Sequence, residues 1–407
     1  MRGGYGIAYG ALGNLGYGGT LGTNYPFEYT VSATSTSSQT PLLLSSGATA
    51  TMENTFGTIN LTDPTQVNGA NVALYGRQYN FQTPYVQTYN LTVQYQFTNR
   101  DSIQTGYVGT VGRHLDNLGT HNSPSEILPP GVSQTPYLPF PSFSPKSTYE
   151  TTNGSSSYNS LQTTYQHDFN AGLILLANYT YSKCMTDQRT QAGQEPGYRA
   201  QWLPGFGIGA DNTLCDTDST NVVHVSGTYA LPVGRERRFM GNTNRFVDAL
   251  IGGWYLNYIY SYQTGQPFNI PCPTPTTSDF GCNANVVSGQ NIYAGPHNAS
   301  QWLNPSAFAE PPIATQIGQT NYLPLGSQGQ QARGPALSNL DSSFFKQFST
   351  GKQTTLQFRV EAFNTFNTAE FAQPQSSTLN FTTTKFSSIT TLRGQPRLLQ
   401  LALKLFF

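Results

Sequence analysis

The stretch 396–407, PRLLQLALKLFF, constrains the fold most, because its apolar residues recur at every second position. These residues are Leu399, Leu401, Leu403, Leu405 and Phe407. A period of two is typical of a β-strand with one apolar and one mixed face. About ten residues are enough for a tilted strand to cross a bilayer. The stretch therefore predicts a last membrane-spanning strand that carries a signature for barrel assembly, and the alternative is an amphipathic strand of a soluble β protein.

The composition favours a membrane sheet over a soluble domain or a helical membrane protein. Charged residues make up 10% of the 407 residues, whereas about 25% is usual in soluble domains. No run approaches the roughly eighteen consecutive apolar residues that a transmembrane helix needs. The net charge is zero, so a nucleic acid is not expected as a partner.

Segments with a period of two, separated by turn residues, predict about eleven strands. The clearest are 85–97, 102–115, 157–169, 173–184, 222–231, 254–262, 340–348, 355–366 and 396–407. Weaker signals cover 2–10 and 25–33, whereas 116–156 is expected to be a loop.

The predicted connections alternate between short and long. Tight turns are expected at Asn99, Asn170 and Gly351, and the connections between them are long and irregular except for 232–253. Transmembrane β-barrels show this asymmetry, with short periplasmic turns and long extracellular loops. The predicted fold class is therefore all-β: an antiparallel transmembrane β-barrel wall of about eleven strands, forming a partial barrel whose two edges need a partner.

The order of several segments resembles the barrel of TonB-dependent, Oar-like outer-membrane proteins. These segments are YVQTYNLTVQYQF, HVSGTYALPVGRERRF, IGGWYLNYIYSYQTGQPF, LQFRVEAFNTFN and PRLLQLALKLFF. The resemblance implies that 1–407 is the carboxyl-terminal portion of a barrel with about twenty-two strands. It also implies an amino-terminal β-sandwich and a plug in the whole family member, and neither these nor a signal peptide is expected within 1–407.

The resemblance implies a receptor that binds a ligand at its outer loops and takes it up across the outer membrane in the full-length protein. The alternative is a surface-exposed binding or adhesion β protein without transport activity. The implied partners are outer-membrane lipid, the barrel assembly machinery, and the amino-terminal barrel half with its plug. TonB is an implied partner only through that amino-terminal part. The implied location is the outer membrane of a Gram-negative cell.

No residue pattern indicates catalysis. The sequence has neither a G-x-S-x-G nucleophile elbow nor an H-E-x-x-H helix, and its five histidines lack the spacing of metal ligands. We therefore expect no enzyme activity and no cofactor. One alternative is calcium bound in an outer loop by Asp211, Asp216 and Asp218, although this pattern lacks the glycine and the last glutamate of an EF-hand.

The cysteines predict disulfides in outer loops. Cys272 and Cys282 enclose a short proline-rich segment, and Cys184 and Cys215 are a second candidate pair. Loops outside the cell face an oxidising environment, so these bonds are expected to be structural.

Two groups of charged residues have predicted positions. Arg359 and Glu361 share the polar face of their strand, and we expect them to be charges in the barrel lumen. Arg235, Arg237 and Arg238 are expected to contact lipid phosphates or the periplasm.

Overall fold

The computed structural model describes residues 1–10, 22, 24–28, 42, 49–51, 72–120, 122–124, 126–145, 147–169, 172–188, 212–273, 283–319, 329–349 and 354–407. In chain order the strands are β1 (Arg2–Tyr9), β2 (Tyr75–Arg77), β3 (Tyr85–Gln96), β4 (Asp101–Thr120), β5 (Thr148–Phe169), β6 (Leu173–Thr186), β7 (Thr213–Leu214), β8 (Asn221–Ala230), β9 (Trp254–Gln263), β10 (Pro267–Phe268), β11 (Asn285–Val286), β12 (Phe308–Ala309), β13 (Ala332–Arg333), β14 (Leu337–Ser349), β15 (Thr355–Phe363) and β16 (Leu398–Phe406). The α-helix of the described residues, α1, spans Arg245–Ile251. It is too short to cross a membrane.

Ten long strands form one continuous wall in the order β1, β3, β4, β5, β6, β8, β9, β14, β15 and β16. Neighbouring strands of this path are antiparallel, and β2 and β7 add short segments to β5 and β6. Among the described residues, β1 pairs with β3 alone and β16 with β15 alone. The wall is therefore open, as predicted, with ten long strands where about eleven were expected.

The register places most apolar residues of the ten strands on one side, which we call the apolar face, whereas a few, such as Tyr255 and Phe345, lie on the other. One row across the sheet consists of Leu91, Tyr107, Leu161 and Tyr181. Another consists of Leu256, Phe344, Val360 and Leu401. The opposite side, the polar face, carries rows such as Gln104, Thr164 and Asn178. This confirms the alternation read from the sequence.

The apolar face is exposed rather than packed against another layer. Leu401 and Leu403 are 71% and 67% exposed, and Leu91 is 46% exposed. An apolar surface that extends over ten strands far exceeds the patches that soluble monomers tolerate in water. It suits a hydrocarbon environment, in which a polar surface would be costly.

One end of the wall has short connections and the other has long ones. At the short-connection end, 97–100 joins β3 to β4, where the Thr98 hydroxyl accepts the backbone N–H groups of Arg100 and Asp101. The predicted turn residues Asn170 and Gly351 lie outside the described residues, but the strands on either side of them pair as expected. The connection between β8 and β9 also lies at this end and contains α1.

One prediction about local structure is wrong, and another is wrong over the residues that the structure describes. The expected loop 116–156 is ordered at both ends, because the ladder between β4 and β5 continues to the pair Thr120 and Thr148. The register shifts on both sides of Leu115, and His114 has a φ of 53° at the first shift. These bulges let pairing continue past residues without a regular pattern. In the expected strand 25–33, residues 25–28 lie in a turn, and 29–33 are outside the described residues.

Candidate functional site: the long-connection end and the polar face

The connections between β9 and β14 and between β15 and β16 pack together around a hydrophobic core. We call this unit the loop assembly. Its buried residues are Phe268, Ile270, Ala284, Leu303, Ala307, Phe308, Ala332, Leu379 and Phe386. Ile270 and Leu303 are fully buried. The long connections therefore form a structure with a core of its own, which the sequence did not predict.

Ser387 ties the two connections together. The backbone N–H of Leu303 donates to the Ser387 hydroxyl (2.8 Å), and the backbone N–H of Trp302 donates to the Ser387 carbonyl (3.3 Å). Ser387 is fully buried. Because buried polar groups need hydrogen-bond partners, these bonds fix the position of one connection against the other.

Arg333 links the loop assembly to the connection between β6 and β8. Its guanidinium forms an ion pair with the carboxylate of Asp218 and donates to the backbone carbonyls of Asp218 (3.1 Å) and Gly265 (3.0 Å). The second oxygen of the Asp218 carboxylate accepts the backbone N–H of Cys184 (2.7 Å). Asp218 is 3% exposed, so this pair is a buried joint between the β6–β8 and β9–β14 connections.

The backbone of Arg333 is also held by the loop assembly. Its N–H donates to the Tyr293 hydroxyl (2.8 Å), and its carbonyl accepts the indole N–H of Trp302 (2.8 Å). Burial raises the pKa of Tyr293 above its ordinary value. Its side chain therefore remains a neutral hydroxyl, able to accept this hydrogen bond, over the physiological pH range.

The three described cysteines lie at the same end of the wall. A disulfide joins Cys184, near the end of β6, to Cys215, with a Cα–Cα distance of 5.4 Å. Cys272 is also disulfide-bonded, whereas Cys282 lies outside the described residues. The first bond closes the connection between β6 and β8 beside Asp218, so it reinforces the joint that Arg333 makes.

Among the described residues, no group of three His, Cys, Asp or Glu side chains is placed to hold a metal ion. Asp218 has both carboxylate oxygens occupied by Arg333 and Cys184. Asp216 is described, and Asp211 lies outside the described residues.

Arg359 and Glu361 lie on the polar face of β15, where the guanidinium donates to the carboxylate (3.1 Å). The Arg359 guanidinium carbon is 4.9 Å from the centre of the Phe345 ring, and Phe345 stacks on Tyr255 with ring centres 5.1 Å apart.

Several polar atoms near this pair have no hydrogen-bond partner within the described residues. These buried atoms are Arg359 Nε, Asn257 Oδ1 and Ser343 Oγ. Buried polar groups are rarely left unpaired. Because these atoms are buried, a molecule bound against the polar face would reach them only if neighbouring side chains moved.

The last strand, β16, presents its predicted signature on the apolar face. Leu399, Leu401, Leu403 and Leu405 alternate with Gln400, Ala402 and Lys404, and they pair with β15 in continuous register. Phe407 follows the strand and is 98% exposed.

At the short-connection end, α1 is docked on the apolar face. The Lys346 ammonium donates to the backbone carbonyls of Ala249 (2.7 Å) and Asp248 (3.2 Å), and the Trp254 indole N–H donates to that of Leu250 (2.8 Å). Lys346 and Trp254 are register partners. Sequence reasoning missed this role, although a lysine between Phe344 and Phe348 on an apolar face is the visible signal.

Replacing Lys346 with methionine is expected to loosen α1 by about 1 to 2 kcal/mol, because two hydrogen bonds from a charged donor are lost while the side-chain volume is kept. Hydrogen exchange at the Gly252 amide, which donates to the Asp248 carbonyl, measures this opening. The control is Lys404→Met on the polar face of β16, which should leave that exchange unchanged. Unchanged protection in Lys346→Met would contradict the role of Lys346.

A sheet with one apolar and one polar face, short connections at one end and packed loops at the other defines the wall of a transmembrane β-barrel. The chain belongs to the outer membrane beta barrel domain family, whose profile matches residues 1–400. It is therefore a protein of the outer membrane, with its short connections on the periplasmic side and its long connections outside.

Among solved structures, the chain is similar to the outer membrane transporter YddB from Escherichia coli. The sequence identity is 9% and the TM-score is 0.41, and the match covers 83% of this chain. The chain spans about a third of the transporter's length, 34%. No curated protein sequence matches the chain.

Proposed function

We propose that the chain is part of the wall of a TonB-dependent, Oar-like receptor. In this proposal the loop assembly binds a ligand outside the cell, and the polar face lines the path by which the full-length protein takes it up. The amino-terminal barrel half and the plug supply the remaining wall and the contact with TonB. No catalytic step and no cofactor are part of this proposal.

The observation that carries the proposal is the structure of the long-connection end. A barrel that served only as a membrane anchor would need no buried core, ion pair and disulfide in its outer connections. Here Arg333 and Asp218 join two of these connections, and the Cys184–Cys215 bond closes one of them, next to the polar face. A rigid outer surface next to a polar path is the arrangement that ligand capture and passage require.

The second candidate function is surface binding or adhesion without transport. It is favoured by aromatic side chains that are exposed in the connections at this end. Tyr79 is 98% exposed, Phe27 84% and Phe140 47%. Exposed aromatic rings provide large contact areas at low entropic cost, and they would serve a stationary binding surface equally well.

The two functions are separated by measuring uptake in cells that express the full reading frame. The probe is a mixture of isotope-labelled oligopeptides and oligosaccharides, followed in the medium, on the surface and inside the cells. Transport predicts gene-dependent internal accumulation of one probe class, which a protonmotive-force uncoupler abolishes. Surface retention without accumulation, unaffected by the uncoupler, would overturn the receptor proposal in favour of adhesion.

We also propose that β16 is recognised by the barrel assembly machinery. Replacing Phe407 with serine is expected to lower the amount of chain inserted into the outer membrane several-fold, because the chain then no longer ends on an aromatic side chain. Fractionation followed by immunoblotting measures the inserted amount. Replacing Phe406, on the opposite face of β16, with leucine is the control. Equal insertion of the Phe407→Ser chain and the unaltered chain would contradict this role.

A further inference from the structure

The connection between β8 and β9 carries a concentration of positive charge. We call residues 234–245 the arginine loop, and its arginines are Arg235, Arg237, Arg238 and Arg245. Within the described part of the chain, none of the four forms an ion pair with a carboxylate. The acidic side chains of the connection are Glu236 and Asp248, so positive charge is left in excess.

The backbone of the arginine loop is closed by its own hydrogen bonds. The N–H of Gly234 donates to the Phe239 carbonyl (3.0 Å), and that of Glu236 donates to the Gly241 carbonyl (3.1 Å). Glu236 and Met240 both have a φ of 61°, a left-handed conformation that such residues adopt only when the surroundings fix it. The arginines are therefore presented by an ordered loop.

The arginine loop lies at the boundary of the apolar face, because α1 begins at its last residue and is docked there by Lys346 and Trp254. Phe246 and Leu250, one turn apart on α1, are 87% and 75% exposed. Phe239 and Met240 in the loop are 54% and 56% exposed. Apolar side chains beside unneutralised arginines are typical of a segment that lies in a membrane interface.

A cavity of about 510 Å³ opens between Arg235, Arg245 and residues 241–244. Guanidinium groups match the geometry of phosphate oxygens and bind them with paired hydrogen bonds. The cavity is thus lined by two arginines, together with Asn242 and Thr243, that can bind a phosphate. Glu236 also lines the cavity, and its carboxylate would repel a small free anion. A lipid headgroup is held in one orientation by its acyl chains, so its phosphate can bind the arginines away from Glu236.

We propose that the arginine loop binds the phosphodiester headgroups of anionic phospholipids in the periplasmic leaflet, while Phe246 and Leu250 enter the apolar part of that leaflet. The site fixes the depth of the wall in the membrane at its short-connection end. This lipid site is separate from ligand uptake. The proposal requires only that the apolar face contacts lipid.

The test measures lipid binding to the full chain in neutral-detergent micelles by native mass spectrometry. The probes are dioctanoyl phosphatidylglycerol, dioctanoyl phosphatidylcholine and inorganic phosphate. Each arginine near anionic lipid contributes about a five-fold gain in affinity, so Arg235→Gln/Arg245→Gln should weaken phosphatidylglycerol binding by about 25-fold. The matched control, Arg393→Gln/Arg397→Gln, removes two exposed arginines at the long-connection end of the wall and should leave binding unchanged.

A second variant separates a lipid from a free anion. Phe246→Ser/Leu250→Ser keeps all arginines and should weaken binding of phosphatidylglycerol, with no effect on inorganic phosphate. The proposal would be overturned if the control arginine variant lost as much phosphatidylglycerol binding as Arg235→Gln/Arg245→Gln. Binding of inorganic phosphate as tight as that of phosphatidylglycerol would also overturn it. So would binding of an acidic periplasmic protein, instead of lipid, through the arginine loop.

Discussion

Replacing Leu91 with arginine is expected to lower the free energy of unfolding of the chain in lipid by about 2 to 4 kcal/mol, the cost of an arginine on the lipid face near mid-bilayer. Leu91 lies on the apolar face of β3, 46% exposed, between Gly3 and Tyr107. In a membrane this exposure is contact with hydrocarbon, so the guanidinium would have to be desolvated or drawn toward the interface.

The control is Asn90→Arg, one residue away at nearly the same depth on the polar face. Its register partners Gly4 and Val108 carry no charge, so an arginine there should cost less than about 1 kcal/mol if that face is wet. Urea unfolding in phospholipid vesicles measures both variants. Equal costs at the two positions would contradict the assignment of the faces.

Replacing Arg333 with alanine is expected to destabilise the loop assembly by about 3 to 5 kcal/mol, the usual cost of removing one partner of a buried ion pair. The Asp218 carboxylate would be left buried, and the guanidinium bonds to the carbonyls of Asp218 and Gly265 would be lost. The wall itself should be unaffected, because Arg333 lies outside its ten strands.

Native-state proteolysis separates these two effects. Cleavage within residues 283–319 should accelerate by more than about a hundred-fold, since 1.4 kcal/mol corresponds to a tenfold change in the open population, while cleavage in the wall strands stays slow. Arg397→Ala removes an exposed arginine and should change cleavage little. Protection of the loop assembly in Arg333→Ala would show that the ion pair does not hold the connections together.

The wall could be predicted because membrane strands obey a strict period of two. In 85–97, apart from Gln87, and in 399–407 every second residue is apolar, as expected when one face meets hydrocarbon and the other does not. The same local rule located Arg359 and Glu361 on the polar face of β15. Short turns then set the pairing of neighbouring strands, because an antiparallel hairpin leaves little freedom of register.

The loop assembly and α1 could not be predicted because their order comes from contacts distant in sequence. Leu303 and Ser387 meet across two connections, and neither lies in a periodic segment. The joint between Arg333 and Asp218 spans 115 positions. The extension of β4 and β5 into the expected loop 116–156 has a related cause. Strand pairing that starts in a regular hairpin can continue past β-bulges, and a bulge has no recognisable sequence pattern.

The most direct test of an open wall is the spin–spin interaction between labels on β1 and β16. Single cysteines replacing Tyr5 and Leu401, both on the apolar face, would carry the labels, and the chain would be diluted with unlabelled copies in vesicles. Strands paired in one sheet lie about 4.8 Å apart, which would broaden the spectrum strongly. If the wall is open and its edges pair with another chain, dilution should abolish the broadening. Broadening that remains after dilution would show that β1 and β16 pair within one chain and close the barrel.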